Sequence, residues 1–142
     1  MNRWSGAICA LVLSGCAQSA LTAPLPVVDP GLAAEVIVIR PSGFKSCGVA
    51  KPVMIDGRQV FTLECGKHVM YPVPAGEHVF GVISYQAPGS PTNITPITIV
   101  AHQRYYLRLD SFLWTGATLE PITSEEGERL MAETSRLIAP AK

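Results

Sequence analysis

Four cysteines and three histidines carry most of the reactive chemistry in this 142-residue chain. The cysteines are Cys9, Cys16, Cys47 and Cys65; the imidazoles are His68, His78 and His102. A metal site asks for His or Cys at short fixed spacings with a carboxylate close by. These histidines stand alone, each beside a predicted turn or strand end, and two thiols without a Cys-x-x-Cys pair make poor zinc spacing. No metal and no other cofactor is therefore expected. Nucleophilic catalysis has no foothold either: the chain lacks a Gly-x-Ser-x-Gly elbow. A hydrolase would need two titratable groups meeting in one cleft, His78 with Asp110 being the pair to test. Asp56 is claimed by a predicted turn, and Glu125, Glu126, Glu128 and Glu133 crowd one predicted helix as a solvated face. No catalytic residue is assigned, and the expectation is a protein that is not an enzyme.

Cys16 has a more specific context. Arg3 precedes a mostly apolar stretch from Trp4 to Leu13, about half of the roughly 20 residues that a membrane-spanning helix needs. A charged start, a short apolar middle and small residues at the end describe an export signal over residues 1–15. Leu13-Ser14-Gly15-Cys16 resembles the lipobox of bacterial lipoproteins. The resemblance implies that the Cys16 thiol takes a diacylglyceryl group, that the chain is cut before it, and that the new amino terminus is acylated. Ala17 rather than Asp after the cysteine implies the outer membrane, and the expected location is its periplasmic face, with the cell surface as the alternative. Two or more acyl chains, at about 0.8 kcal/mol per buried CH₂, anchor stably where one does not. Two other readings stand beside this one: an ordinary cut after Ala17-Gln18-Ser19, and a cysteine in a chance small-residue setting. Residues 16–31, with Pro24, Pro26 and Pro30, are expected to form a flexible tether, leaving 32–142 as one folded domain.

An oxidising compartment makes Cys47 and Cys65 candidates for a disulfide. Between them, "VMIDGRQVF" reads as two strands around Asp56-Gly57, a dipeptide suited to a type I′ turn because both residues must take positive φ. In that hairpin paired residue numbers sum to 113, whereas Cys47 and Cys65 sum to 112. A strict ladder would put the two thiols on opposite faces. A bulge, or strands ending early near Gly48, Pro52 and Gly66, would repair the mismatch.

The elements that would hold these residues are mostly strands. Apolar or alternating runs cover Ala33–Ile39, Pro52–Ile55, Arg58–Glu64, Lys67–Val73, Glu77–Tyr85, Ile94–Val100, Arg104–Asp110 and Ala117–Ile122. Pro and Gly, 12 of each, punctuate them. One helix is predicted over Ser124–Ile138, with Thr123 and Glu126 as a capping box and an apolar stripe of Leu130, Met131, Leu137 and Ile138. The fold class expected is all-β with one C-terminal helix, an antiparallel β-sandwich of about seven to eight strands. In "RYYLRLD", Tyr105, Leu107 and Leu109 share one face and Tyr106 falls on the polar one. Tyr106, Phe112 and Trp114 are thus a possible interaction surface, set against the plainer reading that Phe112 and Trp114 cap an open end of the sandwich. The formal charge is zero and the 11 basic residues are scattered, which argues against nucleic acid as a partner.

"VIVIRP", "MIDGRQV", "VPAGEHVF" and "RYYLRL", in that order, resemble a family of small bacterial lipoproteins that share a domain of unknown function. The likeness runs from about Glu35 to Ile122 and implies no catalytic residue. This chain has His102-Gln103 where that family often carries Gly-Lys. Together these features predict a lipid-anchored envelope module that binds a protein or ligand, with the membrane as its first partner. A small envelope hydrolase and a structural subunit of an envelope assembly are the alternatives.

Overall fold

Two five-stranded sheets face each other, and a helix covers the back of the second. The computed structural model describes residues 19–43, 47–83, 91–112 and 116–137. Numbered along the chain, the first sheet has the order β1 (Ala20–Leu21), β4 (Arg58–Leu63), β3 (Lys51–Ile55), β6 (Gly76–Ile83), β7 (Pro91–Ile99). The second has β10 (Ser135–Arg136), β5 (Lys67–Pro74), β2 (Ala33–Arg40), β8 (Arg104–Phe112), β9 (Gly116–Ile122). The expected β-sandwich with one C-terminal helix is what the chain forms, and among the described residues eight strands have five residues or more. Pairing is antiparallel apart from β2 with β8 and β10 with β5, which run parallel.

The alternation in each strand decides which side chains meet. Val36, Val38, Leu107 and Leu109 from the second sheet pack against Val53, Phe61, Phe80 and Val82 from the first. All eight are almost fully buried, each aliphatic or aromatic group contributing about 1.5–3 kcal/mol by leaving water. β2 sits in the middle of its sheet and is buried on both faces. Ile37 and Ile39, alternating with the inward valines, form a second cluster with Tyr106 and Leu130 beneath the helix. A strand covered on both sides reads as a continuous apolar run, which is what "VIVI" is.

The helix, α1 (Ser124–Ala132), starts as expected: the Thr123 hydroxyl accepts from the Glu126 amide at 3.3 Å. Its end differs. Thr134 turns its hydroxyl back to the Leu130 carbonyl at 2.9 Å, and Ser135–Arg136 join β5 as β10. The helix thus ends six residues before the expected end at Ile138, and the open hydrogen-bonding edge of β5 takes over the chain at Ser135. Leu137 then packs against the main core instead of extending a helical stripe.

The expected tether over residues 16–31 is corrected in the same way over its described part, from Ser19 onwards. Ala20 and Leu21 pair with Thr62 and Phe61, Thr22 donates to the Val60 carbonyl at 3.0 Å, and the Ser19 hydroxyl accepts from the Glu64 amide at 2.8 Å. Leu21 packs on the core. At the far end of this segment a turn closes, with Leu32 donating to the Asp29 carbonyl and Gly31 to the Asp29 side chain. What separates β1 from β2 is a strap fastened at both ends. The edge strand β4 left backbone groups to be paired, and this stretch of chain supplies the partner.

Candidate functional site

The sandwich has two ends, and each holds some of the polar chemistry. At one end lies the hairpin turn of β3 and β4. Asp56 and Gly57 take φ of 50° and 78°, as a type I′ turn demands. The Asp56 carboxylate accepts from the Val79 amide at 2.9 Å and from His78 Nδ1 at 2.7 Å. Burial by itself raises the Asp56 carboxyl; the hydrogen bonds from His78 and Val79 outweigh it and hold the group below the usual carboxylate range. His78 Nε2 lies 2.8 Å from the Pro74 carbonyl. A cleft of about 440 Å³ opens beside this pair, lined by Pro26, Ile55, Val60, Tyr71 and Val73 as well.

A His–Asp pair invites comparison with general-base catalysis, where the second ring nitrogen must be free to take a proton from a nucleophile. Here that nitrogen meets a backbone carbonyl. The pair clamps the Asp56–Gly57 turn to the Pro74–Gly76 turn. The structure does not bring His78 to Asp110: Asp110 lies on β8 and pairs with Arg108 at 2.9 Å. The two stand on different sheets.

The other end is organised by Arg40, the last residue of β2 and only 1% exposed. Its Nη1 donates to the carbonyls of Val49 (2.8 Å) and Leu63 (2.6 Å), and its Nη2 to the Ser111 hydroxyl at 3.1 Å. One guanidinium therefore ties together the ends of β2, β4 and β8 and the approach to β3. Lys51 lies nearby; burial, and then the Arg40 charge, push its ammonium below the ordinary lysine value. A cleft of about 360 Å³ is bordered here by Arg40, Cys47, Cys65, Asp110, Ser111 and Phe112.

Cys47 and Cys65 are joined, with Cα atoms 5.3 Å apart. The hairpin shows how the register allows it. Ile55 pairs with Arg58 and Met54 with Gln59, but Val53 pairs with Phe61, so Val60 is an extra residue on β4. Paired numbers change from a sum of 113 to one of 114, and the ladder ends at Lys51 and Leu63, short of both cysteines, so strict alternation does not set their faces. The bulge expected near Gly48, Pro52 or Gly66 is at Val60.

No family model, curated protein or solved structure matches this chain.

The aromatic surface needs one correction. Tyr106 is 5% exposed, not an outward-facing anchor. It occupies the polar face of β8, as the alternation requires, but α1 lies over that face. Its hydroxyl donates to Glu128, and Gly127 passes so close that a Cβ there would overlap the Tyr106 ring. Phe112 is exposed, at the disulfide end. Trp114 lies outside the described residues, as does Cys16. Among the described residues no group of three His, Cys, Asp or Glu side chains could hold a metal ion. Sequence reasoning missed Arg40, because an arginine at a strand end is ordinarily solvated. It also missed Gly127, although an isolated glycine in a helical pattern is a signal that something packs closely against it.

Proposed function

We propose that this chain is an exported lipoprotein, acylated on Cys16, whose sandwich serves as a non-enzymatic binding module of the bacterial envelope. The observation that carries the reading is Leu13-Ser14-Gly15-Cys16 at the end of a short apolar segment. Two features of the fold support it. The Cys47–Cys65 bridge suits an oxidising compartment. A cut before Cys16 keeps Ser19, whose hydroxyl satisfies the Glu64 amide; a cut after Ser19 would remove that partner and put a charged amine on Ala20, whose amide now donates to Thr62. The lipid-side location is the outer membrane facing the periplasm, and the four strand-turn motifs relate the domain to the small lipoproteins they resemble.

The test is to express the full chain in a Gram-negative host and analyse the mature amino-terminal peptide by mass spectrometry. The expected peptide begins at Cys16 with an acylated thiol, and Cys16→Ser abolishes both processing and detergent-dependent extraction. A mature chain beginning at Ala20, free in the periplasm, would overturn the proposal.

A further inference from the structure

We propose that the disulfide end of the sandwich lies directly against the lipid surface, holding the molecule in one orientation. This rests on acylation at Cys16, and it follows from how near to that residue the chain is fastened to the sandwich. Ser19 is already fixed to the end of β4, so only Ala17 and Gln18 separate it from the lipid-bearing residue. Three chain steps reach at most about 10 Å, against about 50 Å for an unattached segment running to residue 31. The sandwich is longer than that reach: from Lys67 to Pro74, β5 alone runs about 23 Å at a strand's rise per residue. The end near Ser19 is held within that reach of the bilayer, while the end carrying Asp56 and Pro74 can stand off by the length of the sandwich.

The groups at the Ser19 end fit this arrangement. Ser19, Glu64, Val49, Phe112 and the Cys47–Cys65 bridge gather at one end, where the Arg40 contacts to Val49, Leu63 and Ser111 bring their strands together. Phe112 is 48% exposed there and Val49 45%; an aromatic ring at this level belongs at a headgroup boundary.

The experiment uses the full-length acylated protein in vesicles of phosphatidylethanolamine and phosphatidylglycerol containing brominated lipid. A fluorescent label is placed in turn at Val49→Cys, Phe112→Cys, Ala75→Cys and Thr98→Cys, with the native disulfide intact. Two positions at each end guard against one variant folding badly. Labels at 49 and 112 are expected to be quenched several-fold more than those at 75 and 98. Equal quenching at both ends, in protein shown by mass spectrometry to carry acyl chains on Cys16, overturns the orientation and leaves the anchor standing. A Cys16 without acyl chains overturns both. Inserting ten Gly and Ser residues between Gln18 and Ser19 should lower the quenching at 49 and 112 several-fold, and no change would refute the role of the short connection.

Discussion

The two sheets present their outer faces to different surroundings. Behind the second sheet, Ile37, Ile39 and Tyr106 are closed off by Leu130 and Met131 of α1. Behind the first, Val79 and Ile94 stay 41% and 58% exposed. Both faces carry apolar side chains, so composition alone does not say which one is covered. What decides it is a shape match: Gly127 lets α1 settle on the Tyr106 ring, and Arg104 and Arg108 of β8 reach Glu128 and Glu126 of the helix. These ion pairs are partly exposed and of small individual worth. They orient the helix that the apolar contact holds.

This contrast can be broken by substitution. Ile37→Ala, under the helix, should cost about 3 kcal/mol because it leaves a cavity in a closed cluster, measured by denaturant unfolding. Gly127→Ala would by helix propensity stabilise by about 1 kcal/mol. Overlap with Tyr106 reverses the sign, and a net loss of about 2 kcal/mol is expected, with Tyr106→Ala restoring tolerance of the alanine. A gain in stability would show that the helix does not seat on the ring. Thr123→Ala removes the N-cap and should cost about 1 kcal/mol.

A smaller effect lies where α1 ends. His68 Nδ1 is 2.8 Å from the Thr134 hydroxyl, and burial, followed by the Arg136 charge, holds the imidazole below its ordinary value. The unfolded chain therefore binds the proton more readily than the folded one. The stabilising contribution is complete above about pH 6.5 and is lost as pH falls below it. Thermal midpoints between pH 7 and pH 5 should fall less steeply in His68→Asn than in the wild type. Smallest of all is the control on the open sheet: Ile94→Ala should change stability by no more than about 0.5 kcal/mol.

Local signals in the sequence were enough for the elements that local chemistry decides. Asp56-Gly57 dictated the hairpin because both residues tolerate positive φ, and Thr123 marked the helix start because a hydroxyl there meets an amide three residues on. Strand alternation placed Leu107 and Leu109 correctly and put Tyr106 on the other face. It could not say that the face would be covered, since a docked helix is a tertiary event with no periodic signature in β8. The same holds for β1, whose two residues are too short to show a period and form a strand only because β4 offers an edge. Asp56 and His78 meet because β6, entering from the other sheet, pairs with β3 beside the Asp56–Gly57 turn, and nothing in their 22-residue separation announces it. Arg40 is the hardest case: its partners are main-chain carbonyls, which every sequence has everywhere.

The position of β2 has a consequence for how the chain reaches this state. It is among the earliest strands to be synthesised, yet its parallel neighbour β8 begins at Arg104 and its cover, α1, at Ser124. Until those late segments arrive, "VIVI" is an uncharged, strongly β-forming stretch with one edge and one face bare, the kind that joins to copies of itself. Contacts so distant along the chain also form slowly. The newly made protein therefore has a period of vulnerability that ends only when its last helix closes over the middle of the sheet, and a truncation before Ser124 would leave that period open indefinitely.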